Sequence, residues 1–135
     1  MTGRAHMEKT IRSLYAARVQ GDLDGTMKDL AEDAVFSFNG RGTGVQAMSQ
    51  DCCGEPAVRK LVEQLISDWR FDDWKESALL VDGNKSALHW TARVTFVPTG
   101  KSATMEVVDV ITFRDGKIVE FRQSTDTVML LSMTS

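Results

Sequence analysis

The sequence predicts an α+β fold, a cone-shaped, curved antiparallel sheet packed on three N-terminal helices, within one domain spanning 1–135. Three observations carry that expectation. Helical periodicity occupies the first half of the chain and strand periodicity the second, which segregates helices from sheet instead of alternating them. The clearest helical segment, opening at Glu55, carries an unbroken apolar stripe that needs a sheet to face. Three turn signals, DGNK at Asp82–Lys85, PTGK at Pro98–Lys101 and RDGK at Arg114–Lys117, divide the second half into four strands of an antiparallel meander.

In chain order, Ile11, Leu14, Tyr15 and Val19 recur at helical spacing. Gly21 closes this helix, and Asp22 is placed to cap a short second one through Leu23, Met27 and Leu30. Ala34 to Phe38 reads as a short first strand. The stretch FNGRGTGVQAMSQDCCGE has little periodicity and four glycines, so it reads as a covering loop, with GRGTG at 40–44 as a flexible lid. In the third helix Val58, Leu61, Val62, Leu65, Ile66 and Trp69 form the apolar stripe, opposite Arg59, Lys60, Glu63, Gln64 and Asp68. The strands from Phe71 onward run about ten or more residues against a common length of about five or six. Strands that long twist and curl, and a sheet curled over the third helix leaves a cavity at its open end.

Composition narrows the function. A chain of 135 residues suits one core that buries roughly 65–70% of its unfolded surface, enough for a core and an internal pocket. With 16 Lys and Arg against 19 Asp and Glu, the net charge of -3 provides no field for gathering phosphates, so nucleic acid is not the expected partner. Apolar runs are too short to span a membrane and the N-terminus lacks a signal-type apolar region, so a cytoplasmic location with no membrane partner is expected. Cys52 and Cys53 are adjacent and read as free thiols. With only His6 and His89 besides them, neither a metal site nor a cofactor is expected.

The chemistry is carried by MEVVDVITF. In a strand, Met105, Val107, Asp109, Ile111 and Phe113 share one face, and Glu106, Val108, Val110 and Thr112 the other. The same parity turns Leu88, Trp90, Ala92, Val94 and Phe96 inward on the preceding strand. On the last strand it turns Val119, Phe121, Gln123 and Thr125 inward, and Ile118, Glu120, Arg122, Ser124 and Asp126 outward. Asp109 then sits among Trp90, Val107, Ile111 and Phe121. Desolvation there raises a carboxyl pKa, by up to about 3–5 units, and favours a neutral acid that donates a hydrogen bond or a proton. The structural alternative is an Asp109 that bonds a backbone group or a Tyr or Gln partner and only fixes packing. Outside, Val108, Val110 and Ile118 form an apolar patch ringed by Glu106, Thr95, Arg93, Glu120 and Arg122, a design that usually meets a partner.

The helix–helix–strand opening with GDLDGTMKDLAEDAVFSF, the later helix, the meander and VVDVITFRDGKIVEF resemble the NTF2-like (cystatin-like) superfamily, specifically its SnoaL-like and ketosteroid-isomerase-like branch, over nearly the whole chain. The resemblance implies that Asp109 matches the buried acid with which ketosteroid isomerases stabilise an enolate oxygen. It also resembles the strand carboxylate that limonene-type epoxide hydrolases use as general acid, and the resemblance further implies a homodimer through the outer sheet face. The isomerase's general base falls at Phe38 or Asn39 here, and its helix-1 tyrosine at Leu14, one position before Tyr15. The hydrolase arginine falls at Val107, and its second carboxylate at Gln123 or Asp126. The acid/base Asp that follows GKIVE in SnoaL-like cyclases is Gln123, which orients a water or carbonyl but takes no proton.

The expected function is therefore acid/base or oxyanion-stabilised isomerisation, dehydration, cyclisation or epoxide opening of an apolar oxygen-bearing compound, without cofactor. The catalytic candidates are Asp109, Gln123 and Tyr15. The substrate-binding candidates are Trp90, Val94, Phe96, Val107, Ile111, Phe121, Thr125 and Phe38. The competing reading is a non-catalytic ligand carrier or a protein-binding dimer on the same fold.

Overall fold

The computed structural model describes residues 3–39 and 51–135. Helix α1 (Arg4–Gln20) ends at Gly21, whose left-handed φ of 77° lets its N–H reach the Ala17 and Arg18 carbonyls. Asp22 caps α2 (Leu23–Met27) by accepting from Gly25 N at 3.0 Å. Leu30 belongs not to α2 but to the start of β1 (Leu30–Phe38). The lid expected at 40–44 lies outside the described residues. Cys52 and Cys53 form the two-residue β2 on the edge of β1, instead of lying in a loop, and both are free thiols.

Helix α3 (Glu55–Asp68) buries Val58, Leu61, Val62 and Leu65 as its stripe requires. Trp69 is extended, so it opens β3 (Trp69–Asp82) and packs on Phe96 at 4.6 Å between ring centroids. The meander continues through β4 (Lys85–Phe96), β5 (Lys101–Arg114) and β6 (Lys117–Ser124). The Asp115–Gly116 turn between the last two has φ of 51° and 80°, which is the two-residue hairpin that the right-handed twist of the strands prefers. The sheet order is β2-β1-β6-β5-β4-β3, with β1 parallel to β6 and every other pair antiparallel. The result is a six-stranded, curved, unclosed sheet over α1 and α3, the α+β cone that the sequence predicts.

Parity holds along β5 and along β4 as far as Val94, after which Thr95, expected outward, is buried and Phe96, expected inward, is half-buried. Leu88, Trp90, Ala92 and Val94 are buried, as are Met105, Val107, Asp109, Ile111 and Phe113. It fails at the start of β6. Thr112 pairs with Glu120 but Phe113 pairs with Ile118, so Val119 is an extra residue in a bulge. The bulge turns Ile118 inward, fully buried, and removes it from the expected outer patch, where Val108 and Val110 remain 40% and 38% exposed. The strand ends at Ser124, and Asp126 caps an unanticipated helix α4 (Thr127–Thr134) by accepting from Met129 N at 3.0 Å. This helix buries Leu130 and Met133 against the core. No helix among the described residues is long and apolar enough to cross a membrane.

Candidate active site

On α1, Met7, Ile11, Leu14, Tyr15 and Arg18 all face the sheet, a spacing of three and four that puts them on one side. Val19, expected inside because it is apolar, is 37% exposed, and its neighbour Arg18 is buried in its place. A bulge near Asp73, whose φ is 53°, swings Trp74 onto Tyr15, and the two rings stack 5.0 Å apart at 19°. Trp90 packs on the same phenol at 5.3 Å and on Phe71 at 5.1 Å. The Tyr15 ring is thus held between two indoles, which fixes where its hydroxyl points.

That hydroxyl donates to Asp109 Oδ2. Trp90 Nε1 donates to the same carboxylate oxygen at 2.8 Å and to Tyr15 Oη at 3.1 Å. Gln123 Nε2 donates to Asp109 Oδ1 at 3.0 Å and to Tyr15 Oη at 3.3 Å. Gln123 faces Asp109 because the two residues pair directly across β5 and β6. Asp109 has no solvent exposure. Burial raises its pKa from the ordinary 3.8 to about 6, and the Tyr15, Trp90 and Gln123 donors hold it from rising further by stabilising the anion. At neutral pH the carboxylate is therefore the major form and the acid a minor one, where the sequence alone suggested a neutral acid. The Tyr15 phenol is pushed well above its ordinary 10.0, first by burial and then by the neighbouring carboxylate, so it stays protonated.

Beside this cluster lies a cavity enclosing about 750 Å³ of atom-free space, including its opening to solvent. Tyr15, Trp90, Gln123 and Thr125 form its polar wall, and Val94, Val107 and Phe121 belong to its apolar one. Asp109 is not itself on the wall. It stands behind Tyr15, Trp90 and Gln123 and reaches the cavity through them. Phe38, Phe96 and Ile111, read from sequence as substrate contacts, are not wall residues either. Phe38 packs on Phe36, Phe96 on Trp69, and Ile111 lies in the closed part of the core with no exposure.

Residues missed in the sequence also form the wall, notably Arg18, Met27, Leu65 and Leu130. The spacing of Arg18 from Ile11 and Leu14 signalled the first of these, whereas nothing local signalled that α4 folds back. Asn39, at the isomerase's base position, instead ties the end of β6 down, accepting from Thr125 N at 3.0 Å and donating to Thr125 O at 3.0 Å. Among the described residues no group of three or more His, Cys, Asp or Glu is placed to hold a metal ion.

Residues 11–121 match the SnoaL-like domain family. The chain belongs to that family. The SnoaL-like assignment agrees with the folds of solved structures. An NTF2-like protein of unknown function from Burkholderia pseudomallei superposes with a TM-score of 0.83 at 24% identity, covering 98% of each chain. A proposed isomerase from Bacillus subtilis gives 0.86 at 18% identity, covering 99% of this chain and 96% of its own. An epoxide hydrolase of the LEH-like type from M. tuberculosis gives 0.75 at 18% identity, over 96% and 90%. No curated protein matches the sequence. At these identities the superpositions speak for the SnoaL-like fold, while the chemistry rests on the residues around Asp109.

Proposed function

We propose that this protein is a cofactor-independent small-molecule enzyme that delivers a proton or a strong hydrogen bond to an oxygen of an apolar substrate. The observation that carries this reading is the fully buried Asp109 bonded to three side chains, Tyr15, Trp90 and Gln123, that all face one cavity. With Asp109 ionised, Tyr15 Oη is saturated: it donates once and accepts from Trp90 and Gln123. With Asp109 protonated, the carboxyl donates to Tyr15 Oη in place of the longer Gln123 bond, and the phenol O–H is free to turn into the cavity. A substrate carbonyl, hydroxyl or epoxide oxygen there receives the Tyr15 hydrogen bond. As charge develops on that oxygen the Tyr15 proton moves to it and the Asp109 proton replaces it on the phenol. The side-chain oxygen Oε1 of Gln123 accepts no hydrogen bond among the described residues and is available to orient a water or substrate O–H.

This arrangement supports the four reactions named above because each stabilises or expels an oxygen. The apolar body of the substrate lies against Trp90, Val94, Val107 and Phe121.

The test is a panel of small epoxides, β-hydroxy ketones and β,γ-unsaturated ketones, followed by mass spectrometry. The expected result is conversion of at least one class by the wild type, reduced roughly 10²-fold or more in both Asp109→Asn and Tyr15→Phe. Conversion that survives both substitutions overturns the reading. Binding of panel compounds without conversion assigns the non-catalytic ligand-binding alternative. The outer sheet face, with Val108 and Val110 exposed, supports a homodimer as part of the same proposal. Its check is a solution mass of twice 15.0 kDa.

A further inference from the structure

From the charge in the cavity wall we infer that the ligand is an apolar compound bearing an oxyanion, a carboxylate or an ionised enol, and that Arg18 is the residue that binds it. The inference rests on the proposed function and narrows its substrate class. Arg18 is the one formally charged side chain among the described residues of the wall. It is only 8% exposed, and no carboxylate stands within ion-pair distance of it among the described residues.

Its protein contacts use part of its donor capacity. Nη2 donates to Leu65 O at 3.0 Å and Trp69 O at 2.8 Å, at the C-terminal end of α3, and the guanidinium carbon lies 4.0 Å from the centre of the Phe71 ring. Nε and Nη1 donate to no protein atom among the described residues. Burial lowers the Arg18 pKa to about 10, which still leaves it a cation at neutral pH. A desolvated guanidinium with free donors in an apolar cavity is a site for a planar oxyanion, which it meets with two parallel hydrogen bonds.

Placement adds a second requirement. Arg18 follows Tyr15 by three residues on α1, so the two side chains enter the cavity about 4.5 Å apart along the helix axis. A ligand anchored at Arg18 therefore presents to Tyr15 an oxygen only a few bonds from its anionic group, as in a keto acid or hydroxy acid with a hydrocarbon body.

The test compares 2-naphthoate with the uncharged 2-naphthamide by calorimetry near neutral pH. The wild type is expected to bind the acid roughly tenfold or more tightly than the amide, and Arg18→Gln to lose most of that preference while keeping its affinity for the amide. A wild type that binds the two equally or does not bind the acid overturns the inference, and so does a preference that survives in Arg18→Gln. Should Arg18→Gln not fold, the wild-type Arg18 Nε–H resonance decides: it shifts with naphthoate and not with naphthamide, and the absence of that difference overturns the inference. Selection of the acid through Arg18 with no conversion of any panel compound or of its carboxylate-bearing analogue overturns the catalytic reading alone. Conversion of neutral compounds without Arg18-dependent selection overturns the present inference alone.

Discussion

Replacing Asp109 by Asn should stabilise the protein at neutral pH, and the size of the effect follows from burial. The Asp109 carboxyl titrates at about 6 when folded and at an ordinary 3.8 when unfolded. Between these values the folded state holds a proton that the unfolded state has lost, so stability falls as pH rises through this window and is flat above it. At about 1.4 kcal/mol per pH unit the loss is about 3 kcal/mol. Asn avoids it: its Oδ1 accepts from Tyr15 and Trp90, and its Nδ2 donates to Gln123 once that amide turns over. Guanidinium denaturation of both proteins from about pH 4 to about pH 8 should therefore show a gap that opens with pH and levels off near 3 kcal/mol, equivalent to a Tm higher by roughly 10 °C. The comparison cancels the surface carboxylates, including Glu8 and Asp33, whose arginine partners lower their pKa values and give the opposite slope. A gap that does not change with pH, or an Asn variant less stable at neutral pH, refutes the reasoning.

Three other outcomes are expected. Tyr15→Phe removes one donor from Asp109 and one acceptor from Trp90 and Gln123, which should lower stability by about 1–3 kcal/mol in chemical denaturation. Deleting residues 127–135 exposes the pocket for Leu130 and Met133, so Tm should drop by an amount corresponding to roughly 3–6 kcal/mol, and the cavity should lose its Leu130 wall. Ile118→Asp should cost more than about 3 kcal/mol, whereas Val110→Asp should cost little in the monomer and halve the solution mass of any sheet-face dimer.

The order of elements was legible because it is written in local periodicity: the α3 stripe, the three turn dipeptides and the alternation of β4 and β5 need only neighbouring residues to be read. Asp109 was legible for the same reason, since its inward parity follows from two apolar residues on either side. Ile118 was not, because a bulge is decided by how two strands pair across the sheet, and no alternation within β6 announces it. Val19 was misplaced because its hydrophobicity outweighed the helical angle that puts Arg18 inside. The α4 helix was missed because its residues are apolar nearly all round and give no direction until the core receives Leu130 and Met133.

By itself, then, the sequence determined an α+β chain with a long antiparallel meander and one carboxylate on the buried face of its most apolar strand. Only the tertiary structure decided that Asp109 stands behind Tyr15, Trp90 and Gln123 instead of facing the cavity, and that Arg18 supplies the cavity's charge. The physical reason is range. Periodicity reports which way a side chain points relative to its neighbours in the chain, while hydrogen-bond partners 94 and 19 residues away, as Tyr15 and Trp90 are from Asp109, meet only when the sheet has closed over the helices.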